Sequence, residues 1–226
     1  MAQSGAASFP IADLTAGTGV WITENTIQNL YYYLGTNGQG NAIVLRQNAI
    51  STQKAYATAA NKPEYANSQM DTWLSNTVAA RYSQALTDCL ANSSITYANY
   101  DDDFTETIVT ISRKIFLPSK YELGGGGNEG GTNFIDALKA ARNTDNAKTA
   151  RACLQDGGAA FSYLWTRTEL SNSTAQNRVQ CYQANGTLDA NSYQVSNSVN
   201  AKARPMLSLK SATPVTQTAD GYVVCL

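Results

Sequence analysis

The chain has 226 residues, of which 43% are apolar and only 15% charged, with a formal net charge of -1 and no histidine. That apolar share supports one substantial core, and a near-neutral chain without a basic cluster lacks the electrostatic footprint of a nucleic-acid or anionic-lipid binder. Without histidine, the commonest general base and the commonest metal ligand are both missing, which removes many enzyme classes.

Residues 1–18 are small, polar and without strong periodicity, and they are expected to form an N-terminal arm or tether; residues 19–226 are expected to form a single domain. The start of the chain shows no basic-then-apolar pattern, and no apolar run approaches the ~18 residues that span a bilayer. The expected route is synthesis in the cytoplasm followed by release on lysis, with no membrane insertion.

Residues 20–22, 27–34 and 42–45 read as three strands of a meander. The Thr36-Asn37-Gly38-Gln39-Gly40 turn between the last two is rich in residues that adopt positive φ. In Tyr31-Tyr32-Tyr33 successive rings must point to opposite faces, so one packed ring and one more exposed ring are expected. From residue 63 to 90 the pattern turns helical. Asn67 or Ser68 can cap, and Met70, Trp73, Leu74, Val78, Tyr82 and Leu86 form an apolar stripe that predicts one helix kinked near Ser75-Asn76 or two short ones. Residues 95–100 and 107–116 read as strands around Asp101-Asp102-Asp103.

That acidic triplet lacks the alternating ligands, central glycine and distal glutamate of a calcium loop, so a solvated turn is expected. Ser119-Lys120-Tyr121-Glu122 has capping-box spacing. Gly124-Gly125-Gly126-Gly127 and the residues after it lack the Gly-Lys-Ser/Thr ending of a phosphate loop and read as a flexible surface excursion. Residues 134–141 and 147–154 read as helical, ended by Gly157-Gly158. Cys89, Cys153, Cys181 and Cys225 are too widely spaced for a zinc or thioredoxin motif, and buried free thiols are expected, with Cys225 the accessible one. No cofactor and no metal site are expected.

The last third is the most informative. Between Leu164-Trp165-Thr166-Arg167-Thr168 and Ala203-Arg204-Pro205-Met206-Leu207-Ser208-Leu209 lies a run of Asn, Ser, Thr, Gln and Tyr. Stiff amphipathic tyrosines among adaptable amides and hydroxyls suit a binding surface; an ordinary solvated meander has the same composition.

The order of Ile43-Val44-Leu45-Arg46, Tyr65-Ala66-Asn67-Ser68 with Trp73-Leu74, Lys114-Ile115-Phe116-Leu117-Pro118-Ser119, Trp165-Thr166-Arg167-Thr168 and Arg204-Pro205-Met206-Leu207-Ser208-Leu209 resembles a domain family of gut bacteria and their phages. Its marks are a W-x-R motif and a C-terminal R-P-x-L-x-L. The family resembles the C-type-lectin-like fold, shared with formylglycine-generating enzymes and the variable proteins of diversity-generating retroelements. The resemblance implies an α+β domain in which a twisted antiparallel sheet and two or more helices carry a long loop-rich face, with Trp165, Arg167, Arg204 and Pro205 as scaffold. Thr168-Glu169 stands where the family usually shows Ser-Pro, and the calcium-holding triplets of sugar-binding lectins and the paired copper-binding cysteines are absent.

The expected function is therefore that of a non-enzymatic phage virion protein, such as a head fibre, decoration or receptor-binding protein. It would be homo-oligomeric, associated with capsid or other virion proteins, and would present Tyr182, Asn185, Asn191 and Tyr193 to host or mucosal glycans. A bacterial surface adhesin or carbohydrate-binding module is the alternative. An enzyme is disfavoured, because Glu122, Glu129, Asp136 and Asp156 do not lie on motifs that would fix a catalytic carboxylate pair.

Overall fold

The computed structural model describes residues 7–57, 64–100, 105–127, 129–170, 178–189, 193–194 and 201–224. It is a mixed α+β fold dominated by sheet. In chain order the strands are β1 (Ser8–Pro10), β2 (Gly19–Glu24), β3 (Ile27–Thr36) and β4 (Ala42–Arg46), followed by helices α1 (Gln69–Trp73) and α2 (Gln84–Cys89). The hairpin β5 (Ser93–Tyr100) and β6 (Glu106–Arg113), the short β7 (Ile115–Phe116), and helices α3 (Ile135–Ala141) and α4 (Ala147–Arg151) come next. The chain closes with β8 (Tyr163–Glu169), β9 (Arg178–Gln183), β10 (Tyr193–Gln194), β11 (Ala201–Lys202), β12 (Met206–Leu209), β13 (Pro214–Thr218) and β14 (Gly221–Val224).

The main sheet has the order β1-β13-β14-β2-β3-β4-β12-β7, a second has β10-β9-β8-β11, and β5-β6 stands as a two-stranded ribbon. The β2-β3-β4 meander forms with the expected pairing. The sheets are not purely antiparallel: β14 runs parallel to β2, and β11 parallel to β8. Every residue of β4 and of β12 is buried, so the middle of the main sheet is covered on both faces. For the same reason Tyr31, Tyr32 and Tyr33 are all buried, and none is the exposed ring that alternation predicts.

Three further expectations change. Residues 8–18 are part of the domain rather than a tether. Here β1 pairs with β13, Ile11 is fully buried with its N–H donating to the Thr213 carbonyl, and Gly17 and Thr18 bond the Tyr33 backbone. The turn after β3 is longer than an Asn-Gly hairpin: Asn37 Oδ1 accepts from the N–H groups of Gln39 and Asn41, and Gly40 takes the positive φ of 76°. The glycine-rich stretch is packed at its start and at Glu129, while Gly126, Gly127, Gly130 and Gly131 are exposed. A Cβ at Gly125 would collide with the Tyr182 hydroxyl, and Glu129 is buried.

The 63–90 region is helical but interrupted. Ser68 caps α1 by accepting from the Asp71 N–H, a π-helical turn at Leu74–Val78 and a 3-10 turn at Ala79–Arg81 follow, and Ser83 caps α2. All six residues of the predicted stripe are buried. The 3-10 turn ends at Tyr82, whose extended backbone and the Ser83 cap divide the helix, so the break falls beyond Ser75-Asn76. Cys153 and Cys181 are buried free thiols, Cys89 is half-buried, and Cys225 and Asp101-Asp102-Asp103 lie outside the described residues.

Candidate functional site

Strand β8 carries the W-x-R motif, Trp165-Thr166-Arg167. Trp165 is fully buried, packs on Tyr56 with ring centroids 5.6 Å apart, and donates its indole N–H to the Lys54 carbonyl at 3.0 Å. Two residues on, Arg167 is also fully buried. Its Nε donates to the Thr96 carbonyl (2.8 Å) and Nη1 to the Leu117 carbonyl (2.6 Å), while Nη1 and Nη2 grip Glu122 at 2.6 and 2.7 Å. Glu122 in turn closes the predicted capping box, since its Oε2 accepts from the Ser119 N–H and Ser119 Oγ accepts from the Glu122 N–H. One carboxylate thus ends a turn and neutralises a buried cation.

This ion pair borders a cleft of about 320 Å³ floored by Phe116 and Phe134. Much of its polar rim is already committed to internal hydrogen bonds. Asn37 donates to Ser93 Oγ (2.7 Å), Ser93 Oγ bonds Ser208 Oγ (2.7 Å), and the Gln39 amide exchanges two hydrogen bonds with Ser94, at 2.9 and 2.7 Å. A ligand would have to break these bonds to gain its own, so the cleft is a seam joining the β3-β4 loop to β5.

The larger concavity lies at the end of the four-stranded sheet. A groove of about 560 Å³ runs between the segment after α4 and the β9 turn, walled by Leu154, Phe161 and Tyr163 and edged by Ser162, Gln183 and Asn185. Leu154 is 48% exposed, an uncommon setting for a large aliphatic side chain beside two half-buried rings. The backbone fixes the groove: Cys153 N–H donates to the Ala184 carbonyl and Ala184 N–H to the Ser162 carbonyl, both at 3.0 Å. Behind it, Arg151 lies 4.8 Å from the Tyr182 ring centre and donates Nε to the Gly186 carbonyl, which pins the Asn185-Gly186 turn to α4.

The groove has hydrogen-bonding capacity to spare. Asn185 Oδ1 accepts from the Thr187 N–H at 2.9 Å, but its Nδ2 has only a 3.5 Å contact to Gln183 Oε1. Among the described residues, Gln183 Nε2 and Ser162 Oγ make no hydrogen bond.

Of the residues expected to touch a ligand, Asn185 alone is seen exposed at this groove. Tyr182 is fully buried: its ring faces Arg151, its hydroxyl donates to the Lys120 carbonyl at 3.3 Å, and burial pushes its pKa up to about 12. It supports the groove from beneath and offers no ligand surface. Tyr193 pairs with Val179 through the backbone, and Asn191 lies outside the described residues. Phe161, Gln183 and Ser162 were not anticipated as lining residues. The glycine-alanine run before Phe161-Ser162 was the available signal, because a small-residue approach to a strand leaves room beside its first side chains.

Arg204, at the other motif, donates Nε to the Arg46 carbonyl (2.7 Å) and Nη1 to the Arg151 carbonyl (3.1 Å), while its Nη2 has no partner among the described residues. Burial, with no carboxylate against it, lowers its pKa. Pro205 is buried beside it, and its carbonyl accepts from the Arg46 N–H.

Residues 39–211, which include the groove, β8 and the Arg204-Pro205 corner, match the family described as Domain of unknown function (DUF6273). The chain belongs to this family. No curated protein and no solved structure matches it. In this DUF6273 chain no three or more Cys, Asp or Glu side chains are gathered to hold a metal ion among the described residues, and no helix there is long and apolar enough to cross a membrane.

Proposed function

We propose that the chain is a non-enzymatic ligand-binding module whose groove at Phe161, Gln183 and Asn185 receives a carbohydrate. The observation that carries this is unspent amide and hydroxyl capacity beside an aromatic and aliphatic wall. Sugars present hydroxyl edges to amides and apolar C–H faces to rings, so both halves of the groove have a counterpart on them. Within the polar run expected to form a display surface, the end of β9 and the turn after it supply Gln183 and Asn185 to the groove.

The setting is proposed on the sequence resemblance: a C-type-lectin-like domain on a phage particle, repeated on its surface as a head fibre, decoration or receptor-binding protein. Microscopy of purified particles tests the setting, with protein found free or on cells favouring the adhesin alternative.

A glycan array followed by isothermal titration of the retained oligosaccharides tests the binding. Asn185→Ala and Gln183→Ala are each expected to weaken a retained sugar by about 3- to 10-fold, the effect of one neutral hydrogen bond. An array without retained sugars, or variants that bind as the parent does, would overturn the assignment.

A further inference from the structure

At the ends of the central strands of the main sheet, a second cleft of about 330 Å³ opens between the β2-β3 hairpin, the turn before α2 and the loop after α4. Four charged side chains meet there: Glu24, Arg46, Arg81 and Asp156. They are not equivalent. Arg46 is spent, because Nε and Nη2 bind Glu24 (2.7 and 3.3 Å), Nη1 binds the Asn48 carbonyl and Asp156 Oδ1 (2.9 and 2.5 Å), and Nη2 also reaches Asn29 Oδ1 (2.6 Å). All five guanidinium N–H donors are used. Glu24 is buried and also accepts from the Tyr31 hydroxyl at 2.6 Å. These two groups are the anchor.

Arg81 and Asp156 keep capacity. Among the described residues Arg81 has a single long ion pair, Nη1 to Glu24 Oε2 at 3.7 Å, and its guanidinium stands 6.0 Å from the Trp73 ring centre. Its side chain is 20% exposed. Asp156 gives Oδ1 to Arg46 and leaves Oδ2 without a hydrogen bond among the described residues; its side chain is 31% exposed. The side-chain amides of Asn25 and Asn48 line the same cleft and are likewise uncommitted among the described residues.

The rim is built at a conformational cost. Asn25 and Thr26 both hold positive φ, 47° and 74°, in the tight turn between β2 and β3. That geometry suits Asn, but it is an outlier for a β-branched residue, and such strain concentrates at ligand sites. The Asn25 N–H donates to the Arg81 carbonyl at 2.8 Å, which ties the strained turn to the Arg81 backbone. Ile27, 66% exposed, is the most exposed large apolar side chain described and lines this cleft.

Two carboxylates and two guanidiniums cancel, so neither a simple anion nor a simple cation gains from the cleft as a whole. A ligand that carries both charges meets an unspent partner at each end. We infer that this cleft binds a small zwitterion of the α-amino-acid type, its carboxylate received by Arg81, its ammonium by Asp156 Oδ2, and an aliphatic side chain lying against Ile27. Charge-assisted hydrogen bonds at the two ends supply the selectivity.

The test is isothermal titration of the intact protein with L-leucine, N-acetyl-L-leucine and L-leucinamide. Leucine should bind, and blocking either end should weaken binding by at least about 10-fold, the loss expected for one charge-assisted bond. Arg81→Gln should bind leucine no better than the parent binds leucinamide. This substitution leaves the Arg46-Glu24 anchor intact, and circular dichroism verifies its fold. Asp156→Asn should mirror it for the ammonium. Absence of leucine binding, or equal binding of the three probes, would overturn the inference. Neither outcome bears on the carbohydrate groove, because the two sites share no lining residue.

Discussion

Arg167 and Arg204 are both buried arginines of the two sequence motifs, yet they satisfy a buried cation differently. Arg167 has a bidentate carboxylate and two carbonyls, whereas Arg204 has two carbonyls and, among the described residues, one unpartnered nitrogen. Removing Glu122 would strand a fully buried guanidinium, so Glu122→Ala should cost about 3–5 kcal/mol, read from the shift of a urea unfolding curve. Arg204→Met removes a cation that leaves no carboxylate behind, so its loss should be smaller than that of Arg167→Met. Equal losses would contradict this account of the two sites. The scaffold role of both arginines was an expectation from the resemblance alone, and Glu122 as the partner of Arg167 was not legible in the sequence at all. The capping-box spacing identified its local bond to Ser119, and nothing in a sequence marks that the same carboxylate also meets a residue 45 positions away. Tyr182 was misplaced for a related reason. It lies among polar residues, and β9 is buried from Val179 to Tyr182 without alternation, so period-2 reading gives no inward face.

At the level of elements, those held by local chemistry were legible and those held by distant strands were not. The meander, the Ser68 cap, the Ser119-Glu122 box and α3 rest on spacings of a few residues. The N-terminal stretch reads as an arm because its strand has only three residues and acquires meaning from β13, some 200 positions later. A deletion of residues 2–18 is therefore expected to damage the domain itself. It removes β1 from the sheet edge and exposes what Ile11 and Leu14 cover, each side chain worth roughly 1.5–3 kcal/mol. Thermal unfolding of the truncated protein should show a fall in Tm of several degrees or an insoluble product. An unchanged Tm would return the segment to the role of a dispensable tether.

Across the whole molecule, the sequence establishes that the chain builds a mixed α+β core, but not how the sheets close. The parallel joins of β14 to β2 and of β11 to β8 bring late strands onto early or separate ones, and hydrophobic pattern carries no information about such partners. Both concave sites likewise depend on contacts between segments distant in sequence. The groove needs the segment after α4 beside β9, and the charged cleft needs the first hairpin beside Asp156.

The core buries many tyrosines, and their phenols are expected to set an alkaline limit to the fold. Tyr31, Tyr56, Tyr65, Tyr82, Tyr97 and Tyr182 all have phenols raised above their ordinary value, in each case first by burial, with Tyr182 at about 12. A raised folded pKa means that the unfolded chain gives up its protons first. The stabilisation is therefore complete below pH ~10, the unfolded value, and is lost as pH climbs through the folded values. Tyr182 alone contributes on the order of 2–3 kcal/mol across that window. Spectrophotometric titration of the phenolates should show the exposed tyrosines ionising reversibly near pH 10, then a steep cooperative step above it that coincides with loss of far-ultraviolet circular dichroism. A single smooth titration near pH 10 with the fold intact would show that these rings are reached by solvent, and would remove the buried tyrosine layer from the account of stability.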